Sequence, residues 1–228
     1  MSSMDDLKRE AARAALAYLP EQGDIGLGTG STAKHFVDGV GELVRQGRRF
    51  RAVATSEQSR AQALALGIEL LPDDGPWELD LCVDGADEVS DQLDLIKGGG
   101  AAHTREKIVN RAAKLNVIVV DESKLSARLG TKWPIPVEVL RYGHLSTAKW
   151  LSTFGEPTLR QKGTEPVQTD SGNWIYDLRV APCADPAALE AALALVPGVV
   201  ESGLFVGRTD VVLVAGSGGV RKLVRTPT

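Results

Sequence analysis

The chain has 228 residues, 43% hydrophobic and 25% charged, with 26 Lys and Arg against 30 Asp and Glu. That composition supports a packed core and argues against disorder, and a net charge of −4 offers no general footprint for nucleic acid. An anionic ligand would therefore need local cations.

Cys82 and Cys183 are the two cysteines and form no Cys-x-x-Cys, so neither a zinc ribbon nor a redox pair is indicated. A reducing, cytoplasmic setting is the expectation. The opening MSSMDDLKRE lacks an apolar h-region, and no apolar run approaches the ~20 residues that span a bilayer. Neither a signal peptide nor a membrane partner is expected.

Residues 5–19 carry apolar side chains and alanines at helical spacing up to Pro20 and predict a helix. A short strand (DIGLG) then runs into a Gly-rich turn, and residues 31–46 read as helix. FRAVATS (50–56) is a strand, 57–66 a helix, and IELLP (68–72) a third strand. ELDLCVDGAD (78–87) is a strand with its polar cluster at the C-terminal end. LDLIKGGG (93–100), a helix over about 104–115 and the strand NVIVVD (116–121) follow. This alternation predicts an α/β, Rossmann-like domain with a largely parallel sheet, spanning 1–130 and completed by 207–228.

Pro134 and Pro136 mark a change of character. Residues 131–206 read as a smaller α+β, ferredoxin-like domain in β-α-β-β-α-β order. Its pieces are VEVLRY, LSTAKWLSTF, PTLRQ, a turn at Asp170–Asn173, WIYDLRV, a helix over 185–196 and a strand over 199–206. Oligomerisation or a lid is the expected role of this domain. DVVLVAG (210–216) is expected to return to the first sheet.

Ligands of parallel sheets bind outside the carboxyl ends of the strands. Three polar clusters fall there: Gly28–Thr32, Asp84–Asp87 and Asp121–Lys124. In the first, glycines admit a ligand close to the backbone, the next helix offers N–H groups, and Ser31 and Thr32 add hydroxyls. A phosphate is the natural guest. The same loop formally fits a dinucleotide fingerprint, with Glu57 as a late acid, but no Gly-Lys-Ser/Thr follows for a P-loop. A tight turn with no ligand is the plainer alternative.

Asp84-Gly85-Ala86-Asp87-Glu88 reads as a ligand turn, as capping acids, or as a Mg²⁺ site. Lys97 could replace a metal as the local positive charge. Gly98, Gly99 and Gly100 are entropically costly unless the backbone needs unusual angles. Glu106 lies in a helical first turn, where an acid ordinarily just complements the dipole. Lys124 follows the VIVV strand and points to the same end of the sheet. His35, His103 and His144 show no metal-ligand spacing.

Together, GTGSTA (28–33), VDGADE (83–88), IKGGGAAHTREKIV (96–109), DESK (121–124), PIPVEV (134–139) and PGVVESGLF (197–205) resemble the type A ribose-5-phosphate isomerase family. His103 departs from the pattern, an apolar residue being more usual there. The resemblance implies a Rossmann-like part with a smaller α+β part, no metal, no organic cofactor, and a homodimer or homotetramer.

It further implies aldose–ketose isomerisation of ribose 5-phosphate through an enediol(ate), in the non-oxidative pentose phosphate pathway. Glu106 is then the base, Asp84 and Asp87 handle protons or ring opening, and Lys97 stabilises the enediolate. Thr29, Gly30, Ser31, Thr32, Gly85, Ala86, Gly98, Gly99, Gly100, Lys124 and Lys8 are expected to hold the sugar phosphate. Rival expectations are a sugar-phosphate sensor, a coenzyme A transferase-like enzyme with a glutamate nucleophile, and a nicotinamide-dependent oxidoreductase.

Overall fold

A computed structural model describes residues 3–225. The chain forms two compact units. The first takes the residues up to Gly85, Arg105–Lys124 and the chain from Arg208 onward; the second takes Ala86–Thr104 and Leu125–Gly207. The 131–206 segment thus lies within the second unit, which also includes 86–104 and 125–130. Among the described residues no helix is long and apolar enough to cross a membrane.

The first unit is built on a seven-stranded sheet. Its order is Gly219–Val224, Val211–Gly216, Asn116–Asp121, Leu81–Asp84, Gln22–Leu27, Arg49–Ala54, Glu69–Leu70. Every pairing is parallel except that of the outer hairpin, Val211–Gly216 with Gly219–Val224. DVVLVAG therefore does return to this sheet, beside Asn116–Asp121.

Side chains alternate between faces along each strand. Ile25, Leu27, Leu81, Val83, Val117 and Val119 pack on one face with Ala11, Ala12, Ala15, Phe36, Val37 and Val40 of the helices Met4–Ala15 and Ser31–Arg45. Cys82 and Val53 face the other way, against Val109 of the helix His103–Ala112. Gly26 permits that approach, since a Cβ there would stand 2.6 Å from Val109 Cγ1. Burying the fully enclosed Ile and Leu side chains contributes about 1.5–3 kcal/mol each.

In the second unit a four-stranded antiparallel sheet runs Val199–Ser202, Ile135–Val139, Trp174–Arg179, Glu156–Leu159. The helices His144–Leu151 and Pro186–Ala194 belong to this unit. In chain order the sheet reads fourth, first, third, second strand, the ferredoxin-like arrangement. Ile135, Val137, Val139, Tyr176 and Leu178 form its core with Leu151 and Leu193. A small sheet joins Leu204–Phe205, Leu95–Ile96 and Glu88–Val89.

Several boundaries differ from the sequence reading, each for a local reason. The first helix ends at Ala15 and tightens into a 3₁₀ turn, Leu16–Tyr18. The 104–115 helix is His103–Ala112, because Ala112 O and Lys114 N are taken by Leu79. The 199–206 strand is two strands in two sheets, parted at Gly203, whose N–H donates to Pro136 O and whose carbonyl accepts from Lys97 N. A Cβ at Gly203 would collide with the Lys97 carbonyl. The hairpin Gln161–Lys162 with Glu165–Pro166 was not anticipated.

Candidate active site

The strand order reverses direction between Gln22–Leu27 and its neighbour Leu81–Asp84. Such a switch point opens a crevice at the carboxyl ends of the two strands. Gly28–Thr32 leaves the first strand and Asp84–Gly85 leaves the second, so one predicted cluster and the start of another sit there.

Hydrogen bonds tie the two turns together. Gly28 N–H donates to Val83 O at 3.0 Å. Asp84 Oδ1 accepts from the N–H of Thr29 at 3.0 Å and of Gly85 at 2.8 Å. Gly28 must lack a side chain, since a Cβ would run into the Asp84 carboxylate. Gly30, at φ 105°, is the N-cap of Ser31–Arg45, and no side chain caps that helix. A Cβ on Gly30 would meet nothing within 4 Å, so the backbone there borders open space.

The sequence did not reveal what fixes the Thr29 hydroxyl. It hydrogen-bonds Thr55 Oγ1 at 2.7 Å and donates to Ser56 Oγ at 2.9 Å. Ser59 Oγ donates to Gly28 O at 2.7 Å. Ser56 is itself the N-cap of Glu57–Ala65, accepting from Ser59 N–H. A cap signature of this kind is readable in a sequence; its meeting with a distant glycine loop is not.

Glu106 lies in the first turn of His103–Ala112 and is 4% exposed; Asp84 is 3% exposed. Arg105 pairs at 2.8 Å with Glu57, the residue considered as a dinucleotide acid, and holds that carboxyl below its ordinary range. Asp121, 1% exposed, accepts from Ser123 N–H at 3.0 Å and from the Ser123 hydroxyl. Lys124 closes the 3₁₀ turn Glu122–Lys124 after that strand and is half-buried, as is Lys8 on the helix Met4–Ala15.

The second unit carries the other predicted residues. Asp87 Oδ2 accepts from Gly99 N–H at 2.7 Å. Lys97 is 3% exposed, with Nζ 5.5 Å from the centre of the Phe205 ring. Gly98 takes φ 108°, and Ala101, a non-glycine, takes φ 62°. At Gly99 the reason for glycine is space: a Cβ would stand 2.7 Å from Asp87 Oδ1. Gly99 and Gly100 are exposed. His103, fully buried, donates from Nε2 to the Glu201 carbonyl at 3.2 Å, which places its proton on Nε2.

Two buried acids of this unit hold structure. Glu88 accepts from the N–H groups of Gly130, Lys132 and Trp133 at 3.1, 3.1 and 3.2 Å. Glu138, 1% exposed, accepts from Thr104 Oγ1 at 2.5 Å, Thr169 Oγ1 at 2.9 Å and Asn173 Nδ2 at 2.8 Å.

A glycine loop opening onto a helix N-terminus, set at a switch point beside buried acids, is the equipment of an α/β enzyme acting on a small anionic molecule. The family described as ribose 5-phosphate isomerase A (phosphoriboisomerase A) matches residues 51–219. The chain is 45% identical to ribose-5-phosphate isomerase A of Rhodopseudomonas palustris (strain BisB18), covering 98% of this chain and 99% of that one. It is 46% identical to the Gloeobacter violaceus protein of that name, over 96% of each.

Among solved structures, ribose 5-phosphate isomerase A from Methanocaldococcus jannaschii superposes with a TM-score of 0.92 at 40% identity, covering 97% of this chain and all (100%) of that one. A D-ribose-5-phosphate isomerase in complex with phospho-erythronic acid gives 0.94 at 37%, covering 98% and 100%. The chain belongs to the ribose 5-phosphate isomerase A family.

Proposed function

We propose that this chain interconverts D-ribose 5-phosphate and D-ribulose 5-phosphate, as an isomerase of the non-oxidative pentose phosphate pathway that uses no metal or organic cofactor. Beyond family membership, one observation carries the reading: Asp84, 3% exposed, ends its strand at the switch point and accepts from Thr29 N–H at 3.0 Å, which sets a buried acid beside the glycine loop. Burying an ionisable group is costly, and such groups gather where chemistry uses them.

The reaction moves a proton between C2 and C1. Glu106, as carboxylate, takes the C2 proton of the open-chain aldose, and the electron pair passes to O1 as a 1,2-enediolate. Lys97 supplies positive charge to that oxyanion. Asp84 and Asp87 open the ring and carry the hydroxyl proton from O2 to O1. Glu106 then returns its proton to C1, leaving the ketose and a regenerated carboxylate. The Thr29–Thr32 loop, with its helix N-terminus, and Lys8 and Lys124 hold the phosphate; Gly85, Ala86 and Gly98–Gly100 line the sugar.

The deciding experiment is ketose formation from ribose 5-phosphate with EDTA present and nothing added. Turnover is expected, and its loss in Glu106→Gln. An inert wild-type chain that still binds ribose 5-phosphate would favour a sensor instead.

Assembly as a homodimer or homotetramer is part of the same reading, as is a cytoplasmic location. Leu140, Tyr142, Leu145, Trp150 and Leu195 of the second unit are 48–95% exposed, an apolar display that supports self-association. Sedimentation at micromolar concentration should give at least twice the chain mass; a monomer would refute it.

A further inference from the structure

The glycine loop after Lys97 is gripped from two sides. Arg160 follows the strand Glu156–Leu159, and its guanidinium forks onto Asp177, Nε to Oδ2 at 3.0 Å and Nη2 to Oδ1 at 2.5 Å. The remaining nitrogen, Nη1, donates to the Gly98 carbonyl at 2.7 Å and to the Gly99 carbonyl at 3.4 Å. On the far side Gly99 N–H donates to Asp87 Oδ2 at 2.7 Å.

A trans peptide is planar, with C=O and N–H pointing in opposite directions. The Gly98–Gly99 peptide therefore connects a cation at its oxygen to an anion at its N–H. The series Asp177, Arg160, peptide, Asp87 alternates in charge, and each hydrogen bond polarises the next. The same geometry at the Gly99–Gly100 peptide turns the Gly100 N–H away from Arg160.

We propose that Arg160 is a positioning residue for the isomerisation: through the Gly98–Gly99 peptide it fixes the aim of the Asp87 carboxylate. This rests on the reading that Asp87 and the glycine loop contact the sugar. The residue type fits the task. Only a guanidinium can fork one carboxylate and still present a third nitrogen to a carbonyl, which a lysine ammonium cannot do in fixed geometry. Arg160 and Asp177 side chains are 16% and 25% exposed, so solvent competes little for the pair.

The test compares kcat, KM and melting temperature for ribose 5-phosphate isomerisation in Arg160→Gln, Arg160→Lys and Asp177→Asn. Loss of aim at a reacting group predicts about a 10- to 100-fold drop in kcat for Arg160→Gln, with KM moving far less and the melt nearly unchanged. Arg160→Lys should stay impaired despite its charge. Asp177→Asn, which keeps the guanidinium but loosens its fork, should lose less. If Arg160→Gln folds poorly, Asp177→Asn with a selective kcat loss still supports the role. Wild-type kcat in Arg160→Gln, or losses that only track the folded fraction, would overturn it. A wild-type chain inert toward ribose 5-phosphate would instead bring down the functional reading on which it stands.

Discussion

The buried acids of the two units are satisfied differently. In the parallel sheet, Asp84 and Asp121 stand at strand ends and are held by donors within two residues or on the adjoining turn. In the antiparallel unit, Glu88 and Glu138 each collect three neutral donors from remote segments, backbone amides for one and hydroxyls with a carboxamide for the other. A carboxylate so saturated has a structural post, and its burial is explained without chemistry. Burial alone therefore does not identify a reacting acid; the sheet end it occupies says more.

The sharpest way to test this distinction is to remove the proposed base, Glu106, and one of the saturated structural acids. Glu106→Gln should lower kcat by about 10²–10⁴ or more while the melting temperature holds. Glu88→Ala should do the reverse in kind. Stranding three backbone donors costs about 2–4 kcal/mol, read in thermal unfolding, while kcat per folded molecule changes little. A stable Glu88→Ala would erase the contrast.

The smallest effect belongs to Glu57. Its partner Arg105 depresses its carboxyl pKa, so the pair's contribution is present above the unfolded glutamate value and fades as pH falls through the lower folded one. The glutamate is 57% exposed, so Glu57→Gln should cost less than about 1 kcal/mol at neutral pH and nothing once the acid is protonated. Urea unfolding at two pH values checks both.

Much of this was legible in sequence because it is local. The alternation of helix and strand, the clusters at strand ends and the place of Glu106 in a first turn all follow from spacing. What failed was non-local. Nothing around Gly85 and Ala86 signals that one short motif is divided between two units, with Asp84 in one and Asp87 in the other. The three glycines looked alike, yet Gly98 answers to a positive φ, Gly99 to the nearness of Asp87, and Ala101 takes the next left-handed position. Glu138 alternates correctly with Val137 and Val139, but the face it occupies is buried too. Arg160 carried no signal, since its partners lie on other strands and loops.

The strand Val211–Gly216 pairs with Asn116–Asp121 after the whole of Leu125–Gly207 has intervened. On the ribosome, at roughly 5–20 residues per second, the second unit therefore emerges before the first can close its sheet. For that interval the Asn116–Asp121 edge stands open on the nascent chain, with valines at 117, 119 and 120 unpaired on that side. An interrupted fold of this kind leaves that edge unpaired until the residues that follow the second unit have been made.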